Sequence, residues 1–456
     1  MPTQNARYID VLRLPRVPRT FLSALIARSA YALVILPLLF AVQATTGSVA
    51  TAGLAVAGYG ATASFLAPLR ARLIDRHGRR RVLPILALAF GGLLVALAMG
   101  AFAAWSGSVM VALAALAGAV APPLGPAMRV AWTELAPEPT LLRKALSFDA
   151  VIEELLYLVG PAVAGFALVV FAPGAVLLVP AVLVVLGTLL FVFSPAIRHA
   201  PVVTPGGPGA AAGDGAAAPV SVRGRSLLSN THFLGLLLPA VVAGLVSGNL
   251  TIALPAAFPG PDGAATAGIL LGLFAGGSAV GGLLFGALRI PGPARAQVIA
   301  IALTLAALST VIGLTGGPVW MGAAVVSAGL FFSPVMIVAY FAATDFGGPH
   351  RKTESTTWVN TSHNIGGAAG SALAGIVIES LGVNASFFVV GGLAVLLLGA
   401  AAVAAGGVAA DGLGYRVSFI FVRLRHARRS PVQLHTDSVD AHHRVGHDPA
   451  VDLEHG

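Results

Sequence analysis

Apolar residues run along this chain in long stretches, and short polar turns separate one stretch from the next. A stretch of about 18 or more apolar residues is long enough to cross a bilayer as a helix. The pattern therefore predicts an all-α membrane protein with twelve transmembrane helices. Their predicted bounds are 21–41, 49–69, 82–104, 108–130, 146–170, 174–195, 229–253, 265–288, 296–315, 318–342, 356–378 and 384–406.

The turn at 70–81, between the second and third stretches, holds six arginines together with Asp75 and Gly78. Turns rich in Lys and Arg stay on the cytoplasmic side of a membrane, and glycine permits a tight turn. The turns after odd-numbered stretches contain no Lys or Arg, and of the 27 Lys and Arg residues only Arg28 and Arg129 fall within predicted helices. This alternation predicts a multi-pass protein of the plasma membrane with both termini in the cytoplasm.

The composition agrees with a membrane location, because 57% of the residues are hydrophobic, 10% are charged and the mean hydropathy is +0.89. In a soluble protein the net charge of +9 would suggest a nucleic-acid partner. Here the basic residues lie in turns, so we expect the lipid bilayer as partner and no nucleic acid. The chain has no cysteine, and we expect neither a disulfide nor a metal site. With no nucleotide-binding or hydrolase motif, and no soluble segment long enough for a catalytic domain, we expect no enzyme activity.

The chain divides into two halves of six predicted helices, at 1–198 and 229–406. Between them lies a Pro/Gly/Ala-rich tract at 199–228, which predicts a cytoplasmic linker. The fifth and eleventh helices align without gaps, so the halves are predicted to be repeats with a substrate path at their interface. The basic, His-rich segment at 407–456 is predicted to be a cytoplasmic tail, either disordered or, less in keeping with its composition, metal-binding.

The turn at 70–81 resembles the pattern G-x-L-x-D-R-x-G-R-R/K-x-x-L of the major facilitator superfamily, with Ala71 in place of the first glycine. The resemblance implies two six-helix bundles, and a turn whose aspartate and arginines bond across helix ends to hold the outward-open state together. Independently of the family, Asp75 could accept N–H groups of a helix N-terminus and pair with an arginine. The alternative is a turn that only sets the topology. The residues of this predicted gating turn are Asp75, Arg76, Gly78, Arg79 and Arg80.

In the fifth helix, Gly160, Pro161 and Gly165 resemble the G-P-x-x-G-G segment of the proton-driven exporters of that family, although Ala164 replaces one glycine. The resemblance implies export in exchange for protons. The alternative is a plain packing role, since glycine allows close helix approach and proline bends a helix. An arginine that these exporters carry in the middle of the fourth helix is missing from 114–123.

Five ionisable residues are expected at membrane depth, where charge is costly and therefore suggests function. They are Arg28, Arg129, Asp149, Glu153 and Glu154. At about 1.5 Å per residue, Arg28 and the two glutamates lie roughly 10 Å inside the cytoplasmic boundary, which predicts a buried ion-pair cluster. Either Glu153 or Glu154 binds and releases a proton, or the cluster only joins helices one, four and five. The glutamates are about 100° apart on a helix, and Asp149 shares a face with Glu153, which favours Glu153 as the inward residue.

In the repeat, Glu153 aligns with His363, a second candidate for proton binding because histidine titrates near neutrality. The alternative is a histidine hydrogen-bonded to a neighbouring helix. Few other polar residues lie in the predicted helices, so we expect a mostly apolar cavity that suits a lipophilic or amphipathic compound. The polar candidates for that cavity are Tyr31, Asn249, Tyr340, Asn360 and Asn364.

Together these features predict a monomeric secondary active transporter that exports a small lipophilic or amphipathic compound by alternating access. A proton gradient drives it, and no bound cofactor is expected. The alternative, suggested by the missing arginine of the fourth helix, is a membrane sensor or assembly partner that keeps the fold but does not transport.

Overall fold

The structure is a computed structural model that describes residues 11–136, 138–194, 197, 227–288, 292–344, 346 and 348–406. Nearly all of these residues are helical, as a bilayer requires, because backbone N–H and C=O groups find no water there and must bond within the helix. In chain order the helices are α1 (Val17–Thr46), α2 (Val49–Phe65), α3 (Ala67–His77), α4 (Arg79–Phe102), α5 (Gly107–Val120), α6 (Leu124–Leu135), α7 (Pro139–Val170), α8 (Pro173–Val192), α9 (Thr231–Ala257), α10 (Pro261–Ala287), α11 (Ala294–Ile312), α12 (Pro318–Thr344), α13 (Gly348–Leu381) and α14 (Val383–Gly406).

The described residues agree with the twelve predicted spans. Eleven helical segments are long and apolar enough to cross a membrane, and the count is twelve if the pair α2–α3, bent by 45°, is one span. The fourth span combines α5 and α6, which together cover Gly107–Leu135. The protein is thus an all-α membrane protein, as its hydropathy indicates.

The predicted twelve-residue turn at 70–81 is wrong in extent, because helix continues through most of it. Helix α3 runs to His77 and α4 begins at Arg79, so Gly78 alone makes the turn. Its φ of +82° is a conformation that glycine adopts without steric cost. Arginines at the end of an apolar segment do not break a helix, and they extend it beyond the apolar part.

The predicted fourth span at 108–130 corresponds to one span, Gly107–Leu135, but the helix within it is interrupted. Helix α5 ends at Val120 and α6 begins at Leu124. Pro122 and Pro123 lie in between, and neither has the N–H that would bond to the carbonyl four residues earlier. The helix of the fourth span is therefore broken at these residues.

The two halves meet along two helix pairs, α2 with α13 and α7 with α10. Glycine permits the approach, because a Cβ added at Gly53 would lie 2.6 Å from the carbonyl oxygen of Ser371, and one added at Gly165 would overlap the carbonyl of Ala264. Both contacts lie at the end of the bundle that carries the turns without Lys or Arg, called here the non-basic end. The opposite end, with the turn at Gly78, is called the basic end.

Residues 199–226 of the predicted linker and the predicted tail at 407–456 lie outside the described residues. The linker's last two residues belong to a 3-10 turn at Leu227–Ser229. Helix α9 then begins at Thr231, where the Asn230 side chain accepts the N–H groups of His232 and Phe233 and caps the helix.

Candidate functional site

A buried ion pair joins α1 to α7 on the basic side of the bundle. Nη1 of Arg28 lies 2.6 Å from Oδ1 of Asp149, and the two side chains are 3% and 1% exposed. Glu153 is one helical turn after Asp149 on the same face of α7, and its Oε2 lies 2.9 Å from Nη2 of Arg28. One guanidinium of α1 therefore holds two carboxylates of α7.

A second arginine reaches the same carboxylate from α6. Nη2 of Arg129 lies 3.0 Å from Oε2 of Glu153, so that oxygen is shared by two guanidinium groups. Arg28, Arg129, Asp149 and Glu153 form the ion-pair cluster, with two positive and two negative charges. It links the first, fourth and fifth spans, and its members compensate each other's charge at a depth where an unpaired charge is costly.

Glu154 does not belong to this cluster. Its side chain is exposed, and it makes no ion pair with any described residue. It lies on the stripe of α7 that continues through Leu158 and Pro161, and this stripe faces α10. A Cβ added at Gly272 of α10 would lie 2.7 Å from the Leu158 carbonyl oxygen, and one at Gly268 would overlap the Pro161 carbonyl.

A cavity of about 180 Å³ lies beside the cluster. Arg28 and Glu153 line it, together with Tyr31, Tyr157 and the Pro-rich break of the fourth span. The Tyr31 hydroxyl donates a hydrogen bond of 2.5 Å to the carbonyl oxygen of Pro122. The cavity therefore combines charged groups, aromatic rings and an unwound backbone.

The N-terminus of α6 faces Glu153. A Cβ added at Gly125 would lie 3.4 Å from Oε1 of Glu153, so the absence of a side chain there leaves room for the carboxylate. Helix N-termini carry a partial positive charge that favours an anion. Two arginines and the start of a half-helix thus surround the Glu153 side chain.

The C-terminal half places an uncharged, polar set at the matching depth. The His363 ring packs edge-on against Phe332 with 5.5 Å between centroids, and its Nδ1 has no hydrogen-bond partner among the described residues. The Tyr340 hydroxyl donates to Oδ1 of Asn360 over 3.4 Å, and Asn364 is partly exposed on the same helix, α13. The structure does not bring these residues to the ion-pair cluster.

Asn249, predicted as a cavity residue, is fully buried within the C-terminal half. It lines neither the cavity beside the cluster nor the larger one described below. Neither polar atom of its amide has a partner among the described residues. Its prediction as a cavity residue is therefore not supported by its position, because depth along a helix does not reveal which side of the helix faces the interface.

Gly160, Pro161 and Gly165 pack helices together. A Cβ added at Gly160 would lie 2.5 Å from the Cβ of Ala32 in α1, which brings the first and fifth spans into close contact. Gly165 and Pro161 instead face α10 of the other half. The segment therefore fixes α7 against a helix of each half.

The gating turn bonds to its own half. Asp75 is exposed and makes no hydrogen bond or ion pair with a described residue. Nη2 of Arg79 lies 2.5 and 2.6 Å from the two carboxylate oxygens of Glu134, and Nε of Arg80 donates to the Ile197 carbonyl over 3.0 Å. Arg76 is exposed at the end of α3. The predicted contacts of Asp75, with N–H groups of a helix N-terminus and with an arginine, are not made among the described residues in this conformation.

At the non-basic end a carboxylate does connect the halves. Glu379, near the end of α13, accepts a 2.7 Å hydrogen bond from the Ser48 hydroxyl and a 2.9 Å hydrogen bond from the Ala50 amide. The two donors lie at the start of α2, so Glu379 caps a helix of the opposite half. Sequence reasoning missed this residue, although an acid in a turn without Lys or Arg was a usable signal.

The distance between the two halves increases along α2 toward the basic end. Gly53 touches the backbone of α13, whereas Gly60, two turns nearer the basic end on the same face, has no described atom within 4 Å of an added Cβ. The halves are therefore in contact at the non-basic end and apart at the basic end. A cavity of about 340 Å³ remains between them near the non-basic end, lined mainly by apolar residues that include Phe40, Leu168 and Pro255.

Comparison with known proteins agrees with this architecture. The family model described as the Major Facilitator Superfamily matches residues 20–261. No curated protein sequence matches the chain. Two crystal structures of the nucleoside transporter NupG, one of them a mutant, are similar, with TM-scores of 0.67 and 0.64 and identities of 12% and 15%. Each match covers 85% of this chain and 98% or 99% of the other.

A third similar structure is that of a bacterial homolog to the human lysosomal transporter Spinster, in an inward-facing and occupied conformation. Its TM-score is 0.62 at 14% identity, over 91% of this chain and 100% of that one. At sequence identities of 12% to 15%, the structural similarity shows that the chains share a fold and shows nothing about substrate.

Proposed function

Because the chain belongs to the Major Facilitator Superfamily, we propose that it is a secondary active transporter that exports a small lipophilic or amphipathic compound in exchange for protons. The observation that carries this proposal is the asymmetry of the interface between the halves. Contact at one end and separation at the other is the geometry of one state of an alternating-access cycle.

The distribution of arginines among the turns indicates which side of the membrane the open end faces. The basic end carries the Arg-rich turn, and such turns stay in the cytoplasm. On this orientation the conformation is open to the cytoplasm, where an exporter collects its substrate. Export then requires the basic end to close and the contacts of Glu379 and Gly53 to separate.

Glu154 is the proton-binding residue in this proposal. When the basic end closes, α7 and α10 approach there as they already do farther along at Pro161. Glu154 lies on the approaching face, and an unpaired carboxylate in such a contact is costly. Closure therefore needs either a proton or a cationic group of the substrate on Glu154. Because the two compete for one carboxylate, each closure carries one or the other, and substrate is exchanged for protons.

The ion-pair cluster provides the fixed frame for this step. Glu153 is occupied by two arginines, and Asp149 is buried against Arg28, so neither carboxylate is free to exchange a partner without breaking the cluster. The cluster thereby keeps α7 in place while Glu154, one residue along, faces the opening. His363 lies on the other half and has no carboxylate among its described contacts.

The apolar lining of the larger cavity supports a lipophilic or amphipathic substrate. Nucleosides are the substrates of NupG, and that likeness at 12% to 15% identity does not extend to substrate. A nucleoside needs several hydrogen-bonding groups, and the described lining of the 340 Å³ cavity offers chiefly Gln43.

The test is transport by the purified protein in lipid vesicles. The panel contains ethidium and tetraphenylphosphonium as lipophilic cations, uncharged drugs of similar size, and sugars. We expect movement of at least one lipophilic compound and of no sugar, and an imposed proton gradient should drive that compound uphill. If no compound moves, the proposal fails, and the alternative of a sensor without transport activity is favoured.

A further inference from the structure

Arg70 is buried, although its place in the Arg-rich segment suggested an exposed turn residue. It lies on α3, is 6% exposed, and makes no ion pair with a described carboxylate. Its guanidinium instead donates to backbone carbonyls of the second and fourth spans. Nη1 lies 2.9 Å from the carbonyl oxygen of Gly118 and 2.9 Å from that of Ala119, and Nη2 donates to the carbonyl of Ala63.

The two carbonyls of the fourth span are those that the break leaves without their helical donors. In a continuous helix the Gly118 carbonyl would accept from residue 122, and the Ala119 carbonyl from residue 123. Both positions are proline, which has no N–H. One amino group of Arg70 thus donates to both carbonyls; the Gly118 carbonyl accepts in addition only the Ala121 N–H, at 3.3 Å, among the described residues. Inside a membrane such groups must be satisfied by protein.

The shape of the break decides where the cluster forms. After Pro123 the chain restarts as α6, with Gly125 against Glu153 and with Arg129 one turn later at 3.0 Å from the same carboxylate. A continuous helix through this segment would place the residues after it at another height and rotation, because Ala121 and Pro123 have non-helical backbone angles. The position of α6 relative to Glu153 therefore depends on the non-helical backbone to which Arg70 is bonded.

We propose that Arg70 is a positioning residue that fixes the break of the fourth span and thereby the alignment of α6 with Glu153. The guanidinium also joins this break to α3, the helix that ends at the gating turn. A displacement of α3 during the transport cycle is in this way transmitted to the ion-pair cluster. The consequence for transport rests on the proposed function, but the positional role does not.

The test compares removal of the donor with restoration of the lost N–H groups. Arg70→Met leaves the Ala119 carbonyl without a described donor and the Gly118 carbonyl with the Ala121 N–H alone, at 3.3 Å. Adding Pro122→Ala and Pro123→Ala returns backbone N–H groups to the two positions, so that the Gly118 and Ala119 carbonyls can accept from the helical backbone. We expect Arg70→Met to lower the melting temperature, and the triple variant to recover most of that loss, because the carbonyls regain donors.

Alignment is read from a reporter cysteine at Leu156→Cys, which lines the 180 Å³ cavity. The chain has no native cysteine, so a maleimide reports on this position alone. We expect the labelling rate to change several-fold in Arg70→Met and to remain changed in the triple variant, since stability returns but the break does not. Arg70→Lys, which keeps a charge and donors near the carbonyls, should give an intermediate rate.

A labelling rate equal to wild type in the triple variant would overturn the proposal, because satisfied carbonyls would then suffice without the break. So would an unchanged rate in Arg70→Met, or in Arg70→Lys if the methionine variant does not fold. The labelling needs no substrate and no gradient. A wild-type protein that transports nothing while these rates behave as expected would refute the proposed function and leave the positioning role intact.

Discussion

Nη1 of Arg28 lies 2.6 Å from Oδ1 of Asp149, and this pair is the most deeply buried ion pair among the described residues. The contact joins the first and fifth spans. Glu153 binds the second amino group of the same guanidinium, so Arg28 is the shared element of two contacts. Loss of one carboxylate changes the environment of every other charge in the cluster.

The Arg28–Asp149 pair should show strong coupling in a double-mutant cycle. Asp149→Leu leaves Arg28 buried with one partner fewer, and loss of a buried partner costs about 3–5 kcal/mol in soluble precedents. Replacing both residues, in Arg28→Met/Asp149→Leu, removes the unpaired charge and should recover much of the loss. Denaturant unfolding in detergent measures the free energy of unfolding of wild type, Arg28→Met, Asp149→Leu and the double variant. If the losses in free energy of unfolding of the two single variants add up to the loss of the double variant, the contact does not stabilise the protein.

The sequence was sufficient to bring Arg28 and Glu153 to one depth, because residue number along a helix gives depth directly. It also favoured Glu153 over Glu154 as the inward residue, but it did not indicate that Asp149 makes the closest contact with Arg28. Asp149 makes the shorter contact and Glu154 makes none among the described residues, and both outcomes depend on how α7 is rotated. Rotation is set by packing such as Gly160 against Ala32, which hydropathy does not encode.

Glu379→Gln should weaken the contact between the halves at the non-basic end. The carboxylate accepts from the Ser48 hydroxyl and the Ala50 amide, and an uncharged amide is a weaker acceptor. Spin labels at Gln43→Cys and Ala256→Cys, on opposite halves of the 340 Å³ cavity, report the separation by pulsed electron resonance. In Glu379→Gln we expect a larger fraction of molecules with a long distance between the two spin labels than in the otherwise identical protein with Glu379.

Ser380→Ala is the matched control for Glu379→Gln, since the Ser380 hydroxyl bonds only within its own helix. Acidification should lengthen the distance in wild type, because protonation removes the negative charge that the contact uses. It should have a much smaller effect in Glu379→Gln. The neighbouring helices α2 and α14 contain no Asp, Glu, Lys, Arg or His that could titrate instead. An unchanged distance distribution in Glu379→Gln would contradict the role of this contact.

Two glycines on one face of α2 provide a test of the asymmetric interface. Gly53→Ala places a methyl group 2.6 Å from the Ser371 carbonyl oxygen and should force the non-basic end apart. Gly60→Ala has open space in this conformation and should leave the spin-label distance unchanged. Equal effects of the two substitutions would mean that the halves do not separate toward the basic end.

The helical nature of the chain and the approximate number of membrane spans followed from apolar length, since a bilayer requires helices of about that length. The breaks within the spans and the polar contacts between distant helices did not follow from it. The break at Pro122 lies inside an apolar run. The sequence around Arg70 predicts a turn, and it does not indicate that the guanidinium donates to carbonyls of the fourth span. An acid in a turn without Lys or Arg marked Glu379 as unusual, but its partner could not be predicted because the two positions are 331 residues apart.

Proton-driven accumulation by a Glu154 variant tests the central claim most directly. Vesicles that contain the protein are given an acidic lumen, and ethidium or another compound that the panel identifies is followed into the lumen of wild type, Glu154→Gln and Glu354→Gln. Glu354 is the control carboxylate, exposed on α13 and paired with Arg351. We predict that wild type and Glu354→Gln accumulate the compound against its gradient. Glu154→Gln should equilibrate it without accumulation, because its amide cannot exchange a proton. Accumulation by Glu154→Gln at the wild-type level would contradict the account.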